Sequence, residues 1–315
     1  MKFDAIDKKL ISYLYHHYRE PLTKIGKACR LSREQVEYRV KKYESEGLIK
    51  KYLTVFNYDL LGYHEVVIVW LKTSQKESIR KQLESMKNVI SVGEFLSDYD
   101  FFVNFIFKDK NEFESVFYSF LEKNKESIND FSIFSTTEVY LYPLKFFGES
   151  TPARDYELVS PNKDLKLGKK DIEIIKILEV NGREKIVEIS KKTGLSSELI
   201  VYKIKQLHKN KVILGNRLLL GMEEHDFYFA AMKLKLRNLD PDLRNKIKNF
   251  CKNHPNISNL LFGIGEYNCL IQSFYQTEED LRKTLRDINE KLKTNIINSE
   301  LLLIENEGRV KTLPL

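Results

Sequence analysis

The chain has 315 residues, 42% hydrophobic and 31% charged, with a formal net charge of +7, a soluble composition long enough for roughly two to four small domains. No apolar run approaches the roughly 18 residues of a membrane span, and the opening MKFDAIDKKL lacks a signal peptide's apolar stretch, so a cytoplasmic protein without a membrane partner is expected. Cys29, Cys251 and Cys269 lie far apart with no CxxC spacing, which argues against a disulfide framework or a cysteine zinc site and leaves them as buried thiols.

Residues 4–49 and 168–213 superpose without a gap at an offset of 164. Asp7 falls on Asp171, Leu10 and Leu14 on Ile174 and Leu178, Ile25 on Ile189, Ser32 on Ser196, and Val36 and Val40 on Ile200 and Ile204. What repeats is chiefly the apolar pattern, and a repeated apolar pattern means a repeated core.

In the first copy the apolar residues recur at three- and four-residue steps, predicting helices over 4–17, 21–29 and 32–46, with Ser32 as N-cap of the third and Gly47 ending it. The β-prone stretch IKKYLTVFNYDLLGY that follows has the alternation and basic start of a wing hairpin, completing a winged helix-turn-helix over 1–60. Residues 61–148 then read as β-α-β-β-α-β: HEVVIVWLKT, a charged helix, VISVGEFL, DFFVNFIF, NEFESVFYSFLEKNK and DFSIFSTTEVYLYPL. Residues 149–164 gather Pro, Gly, Ser and charge without periodicity and read as a linker. A second winged helix-turn-helix covers 165–222, with LSSELIVYKIKQLHKNKVI as its recognition segment, and a second β-α-β-β-α-β covers 223–315. The fold class expected is α+β, two winged helix-turn-helix domains alternating with two ferredoxin-like (βαββαβ) domains, to which the family resemblance described below adds a ligand-sensing role.

Charge follows this division. Residues 1–60 carry 13 basic against 8 acidic side chains and residues 163–222 carry 14 against 7, while the segments outside them are neutral or acidic. A positive balance confined to two helix-turn-helix candidates is what phosphate contact requires, so the expected partner is double-stranded DNA.

With Val36, Val40 and Tyr43 facing the core, the third helix turns Arg33, Gln35, Tyr38, Arg39 and Lys42 elsewhere, and these, with the cap Ser32, are the candidate DNA contacts. Arg39 could pair bidentately with guanine or reach a phosphate, and Gln35 could read adenine. Lys24, Lys27 and Arg30 on the second helix, with Lys50 and Lys51 at the wing, suit sequence-independent phosphate contact. The corresponding second-copy positions are Ser196, Ser197, Tyr202, Lys203, Lys205 and Lys209. A solvated surface helix would carry charges of the same kind.

These strings resemble the Lrp/AsnC family of feast/famine regulators. The family's Asp-x-x-Asp opening corresponds to Asp4 and Asp7, and its leucine-serine pair to Leu31-Ser32 and Leu195-Ser196. Its Arg-Val-x-x-Leu-x-x-x-Gly-x-Ile run corresponds to Arg39-Val40, Tyr43, Gly47 and Ile49; the second copy departs from it at Lys203 and Lys211. The family's Gly-x-Tyr-Asp turn corresponds to Ser97-Asp98-Tyr99-Asp100 and to Gly265-Glu266-Tyr267-Asn268. The resemblance implies dimerisation through the α+β domains and an amino-acid or other small-metabolite effector near those turns. Duplication within one chain suggests an intramolecular pseudo-dimer, with further homo-oligomerisation open, presenting two unequal helix-turn-helix units to half-sites about 34 Å or a multiple apart.

Two other readings stand beside this one. The siroheme decarboxylases, which look like Lrp proteins, act on a tetrapyrrole, a reaction wanting histidine and basic residues; His64-Glu65 and His225-Asp226, each read as beginning the first strand of an α+β domain, are the ones to weigh. No Ser-His-Asp arrangement, phosphate-cradling glycine loop or HExxH string is present, and no cofactor is called for. In the third reading the winged helices serve as protein-binding surfaces.

Overall fold

In the computed structural model residues 3–96, 98–147, 156–158 and 165–314 are described. The elements in chain order are α1 (Ala5–His17), α2 (Leu22–Cys29), α3 (Arg33–Ser45), β1 (Ile49–Phe56), β2 (Glu65–Thr73), α4 (Lys76–Ser85), β3 (Val89–Phe95), β4 (Phe101–Phe107), α5 (Lys110–Lys123) and β5 (Ile128–Leu141). There follow β6 (Tyr156–Glu157), α6 (Lys169–Val180), α7 (Ile186–Thr193), α8 (Ser197–Lys209), β7 (Ile213–Leu220), β8 (Tyr228–Leu236), α9 (Pro241–Asn253), β9 (Ile257–Gly265), β10 (Cys269–Tyr275), α10 (Glu278–Leu292) and β11 (Ile296–Val310). No helix among the described residues is long and apolar enough to cross a membrane.

The repeat spacing of 164 is reproduced element by element: α1, α2, α3 and β1 each begin 164 residues before α6, α7, α8 and β7. The two copies nevertheless do not fold as separate halves. One compact unit is formed by Met1–Leu61 with Pro143–His225 and the other by Gly62–Tyr142 with Asp226–Pro314.

In the first unit, α1, α2 and α3 bury Leu10, Ile11, Leu14, Ile25, Val36, Val40 and Tyr43, and α6, α7 and α8 bury Ile174, Ile175, Leu178, Ile189, Ile200 and Leu207. Each such side chain contributes about 1.5–3 kcal/mol when fully removed from water. Ser32 starts α3 as expected: its hydroxyl accepts from Gln35 N at 3.2 Å, and Gln35 Oε1 accepts from Ser32 N at 2.8 Å, a reciprocal capping box.

The expected wing hairpin does not form. β1 pairs antiparallel with β7 of the second copy, from Ile49 opposite Leu220 to Phe56 opposite Ile213. A single strand cannot satisfy its backbone N–H and C=O groups alone, and here each copy's strand supplies the other's partner.

The second unit contains the order β-α-β-β-α-β twice, each with the ferredoxin-like strand sequence, β5-β2-β4-β3 and β11-β8-β10-β9. The two sheets join at both edges, β3 with β11 and β5 with β9, so eight strands close on themselves. Closure removes the exposed edges that either sheet would present alone. Val67, Val69 and Leu71 pack with Ile79 and Leu83 of α4 and Phe117 and Phe120 of α5, while Met232, Leu234 and Leu236 pack with Leu243, Ile247 and Ile288 of α9 and α10. Strand alternation therefore turns the intervening Trp70 and Lys233 to the opposite, inner face of the closed sheet.

Candidate functional site

The recognition-helix candidate α3 separates its faces cleanly. Val36, Val40 and Tyr43 are buried, whereas Ser32, Arg33, Gln35, Tyr38 and Lys42 are exposed, Tyr38 to 70%. Tyr38 thus lies on the outer face of the helix together with Arg33 and Lys42.

Arg39 has another engagement. Its guanidinium pairs with Asp7, a buried carboxylate of α1, and with Asp4 Oδ2 at 3.2 Å; the Tyr43 hydroxyl donates to the same Asp7 Oδ1 at 2.5 Å. These bonds tie α3 to the start of α1. In the second copy Lys203 Nζ lies 2.9 Å from Asp171 Oδ1, the pair found 164 residues earlier as Arg39 with Asp7. The lysine that departs from the family pattern thus keeps the same internal ion pair. Gln35 likewise spends its side-chain carbonyl on the capping box.

Lys50 and Lys51, expected on a wing, lie on β1 where it crosses to the second copy. Lys50 pairs with Glu223 and, at 3.6 Å, with Glu224; Lys51 reaches Glu179 at 3.4 Å. The strand exchange that replaces the hairpin brings these acids beside them, so both bridge the copies. Lys24 is exposed beside Glu20 at 2.7 Å, Lys27 and Arg30 are exposed, and Lys42 is 3.9 Å from Glu46.

α8 presents a different outer face. Ser196 caps it through Leu199 N at 3.2 Å, and Ser197, Tyr202, Lys205 and Lys209 are exposed. Positions occupied on α3 by Arg33, Gln35, Glu37 and Lys42 hold Ser197, Leu199, Val201 and Gln206, and Leu199 and Val201 are 38% and 39% exposed. Tyr38 and Tyr202 are the equivalent exposed aromatics. The second face is thus poorer in charge and richer in apolar surface.

The candidate effector turns lie between β3 and β4 and between β9 and β10; Ser97 falls outside the described residues. Asp98 and Glu266 are exposed. Asp100 and Asn268 act as turn formers: Asp100 Oδ2 accepts from Thr73 N at 2.7 Å, with Lys76 Nζ 2.7 Å from its other oxygen, and Asn268 Oδ1 accepts from Leu236 N at 2.8 Å. Gly265 allows β9 to approach β5, since a Cβ there would stand 2.5 Å from the Ile133 carbonyl oxygen.

Tyr99 and Tyr267, one from each copy, converge. The ammonium of Lys233, a residue only 1% exposed, lies 5.0 Å from the Tyr99 ring centre, 4.6 Å from that of Tyr267 and 4.8 Å from that of Trp70. Glu300, opposite Lys233 on β11, pairs with it. Burial, reinforced by Glu300, pushes the Tyr267 hydroxyl up to about 12, and burial followed by Asp130 and Glu300 raises that of Tyr99. The sequence reading placed both tyrosines but missed Lys233, Trp70 and Glu300. A signal existed: in AAMKLKL Lys233 and Lys235 interrupt an otherwise apolar strand at alternate positions, and of the two only Lys233 is buried.

His64 and His225, the histidines weighed for a tetrapyrrole reaction, lie at the entries to β2 and β8. The His64 backbone N donates to Phe107 O at 3.1 Å at the entry to β2, and His225 ends a 3₁₀ turn with its ring 5.7 Å from Phe3.

Residues 3–50 match the winged helix-turn-helix DNA-binding family. Over 111 residues, 35% of this chain, the sequence is 30% identical to the HTH-type transcriptional regulator FL11 of Pyrococcus furiosus, of which 74% is spanned. The FL11 protein of Pyrococcus horikoshii is 29% identical over 111 residues, again with 74% spanned. Among solved structures, the siroheme decarboxylase NirDL in complex with an iron-uroporphyrin III analogue shares the fold over 99% of this chain and 94% of its own, with a TM-score of 0.63 and 15% identity. The helix-turn-helix relatives and the α+β pattern that follows agree with one another, and the chain belongs to the Lrp/AsnC family of transcriptional regulators.

Proposed function

We propose that the chain is a sequence-specific DNA-binding transcriptional regulator in which α3 is the principal reader. The carrying observation is the outer face of α3, where Arg33, Tyr38 and Lys42 stand exposed while Val36, Val40 and Tyr43 anchor the helix. Lys24 and Lys27 add phosphate contacts. Arg39 and Lys203 serve as struts of their own helix-turn-helix units, and Lys50 and Lys51 as ties between the units. α8, with Ser197, Tyr202, Lys205 and Lys209 outward, contributes weaker and less selective contact. An amino acid or similar metabolite acting through the α+β unit is the regulatory counterpart.

Fluorescence anisotropy on DNA from the gene's own upstream region and on scrambled DNA, at two salt concentrations, tests the reading. Tighter binding of the native fragment is expected, with log affinity falling against log salt by about 0.9 per phosphate contacted. Arg33→Ala and Tyr38→Ala are expected to weaken the native complex more than Ser197→Ala and Tyr202→Ala. Binding to neither fragment at low salt overturns it.

A second reading is supported by the full-length fold likeness to NirDL, a siroheme decarboxylase. It would make the α+β unit a tetrapyrrole-binding enzyme. A spectral titration with an iron uroporphyrin decides it: a saturable Soret shift supports the enzyme reading, and its absence removes it.

A further inference from the structure

Two equivalent positions of the duplicated fold hold unlike residues at the centre of the closed sheet. Trp70 on β2 faces Ser132 on β5, and Lys233 on β8 faces Glu300 on β11. The turn bonds fix the equivalence, because Asp100 N donates to Leu71 O and Asn268 N to Leu234 O, the residues next to Trp70 and Lys233. One copy thus supplies an aromatic wall where the other supplies an ammonium. Around that ammonium stand three ring faces within 5.0 Å and one carboxylate, and Lys233 is 1% exposed. Ring faces and a carboxylate around a desolvated centre are the recognition chemistry of an organic ammonium ion.

We propose that the inner face of the closed sheet is a binding site for a primary alkylammonium group, which the chain fills with its own Lys233. The tethered ammonium ties Tyr99 of one copy to Tyr267 of the other, as a free amine bound there would. The wild-type chain is self-liganded at this place, and a chain shortened at residue 233 depends on an added amine. The proposal stands apart from the DNA reading, since it is tested without nucleic acid.

Trp70 is the one tryptophan of the sequence, so its emission reports the cage directly. In Lys233→Ala the atoms removed are those of n-propylammonium. Titrating the full-length K233A chain with n-propylammonium is expected to give a saturable millimolar change in Trp70 emission and a rise in Tm. n-Propanol and sodium chloride at equal concentration should give neither, and the wild type should not respond. Equal effects of amine and alcohol, a non-saturable response, or the same response in the wild type overturns the proposal. Should K233A fail to fold, refolding it with each additive is the deciding measurement. Recovery with the amine alone supports the site; recovery with both or with neither overturns it.

Discussion

Asp7 shows how a single buried carboxylate decides what its neighbours can do. It accepts from the Tyr43 hydroxyl and pairs with Arg39, and the acid and its partners are so placed that burial and Asp7 together raise the Tyr43 hydroxyl far above its ordinary range. Removing one partner of a buried charge costs more than the pair itself contributes. Arg39→Ala is accordingly expected to lower stability by about 1–3 kcal/mol in urea unfolding, with Arg39→Lys close to wild type because Lys203 fills that role in the second copy. The salt slope of DNA binding should be unchanged in Arg39→Ala; a slope reduced by about one would mean a phosphate contact instead. His16 gives the residue-scale pH prediction. Burial holds its imidazole down at about 4, against an ordinary 6.5, with Nδ1 3.2 Å from the Asn216 carbonyl and from the Tyr156 hydroxyl. The folded state therefore binds fewer protons than the unfolded state between these values. Stability is full above pH 6.5 and falls as pH drops toward 4, by about 3 kcal/mol in total. Urea midpoints at pH 7 and pH 4.5 should differ in the wild type and differ less in His16→Gln.

At the scale of elements, each copy carries two left-handed helix ends, and each places a bulky residue at one of them. Arg30 with φ 60° matches Gly194 with φ 70°, and Gly47 with φ 75° matches Lys211 with φ 59°. A side chain in that region costs roughly 1 kcal/mol that glycine avoids, offset in part by glycine's freedom when unfolded. Lys211→Gly is expected to raise stability by about 0.5 kcal/mol, read as a higher urea midpoint; no rise would mean that the Lys211 side chain is held by a favourable contact. The helices themselves were legible from apolar spacing and capping, Ser32 and Ser196 above all. The wing was not. Ile49–Phe56 has strand alternation, and alternation states that a strand forms without naming the strand it joins.

For the molecule as a whole, the two edge pairings β3–β11 and β5–β9 are the consequence with the largest reach. A chain ending at residue 144 would retain β2, β3, β4 and β5 but leave β3 and β5 unpaired, and β1 would lack β7. Exposed edges recruit other strands, so this half-chain is expected to self-associate, with a light-scattering mass of at least twice its monomer. A monodisperse monomer would show that the edges are not needed. The chemically unequal halves at Trp70 and Lys233, and at Arg33 and Ser197, give the duplicated chain an asymmetry that a homodimer of one half could not have.

The sequence by itself determined the repeat, the helices and their caps, the strand order of each βαββαβ segment and the location of the tyrosine turns, because all of these are written in local spacing and residue type. It also located the exposed α3 face, since three buried positions on a helix leave the others outward. Only the tertiary structure decided that β1 joins β7, that Arg39, Lys203, Lys50 and Lys51 are taken up by carboxylates, and that Tyr99 and Tyr267 close on Lys233. Those outcomes depend on residues 32 to 173 positions apart, or more, and no periodicity records which distant carboxylate or ring a side chain will meet.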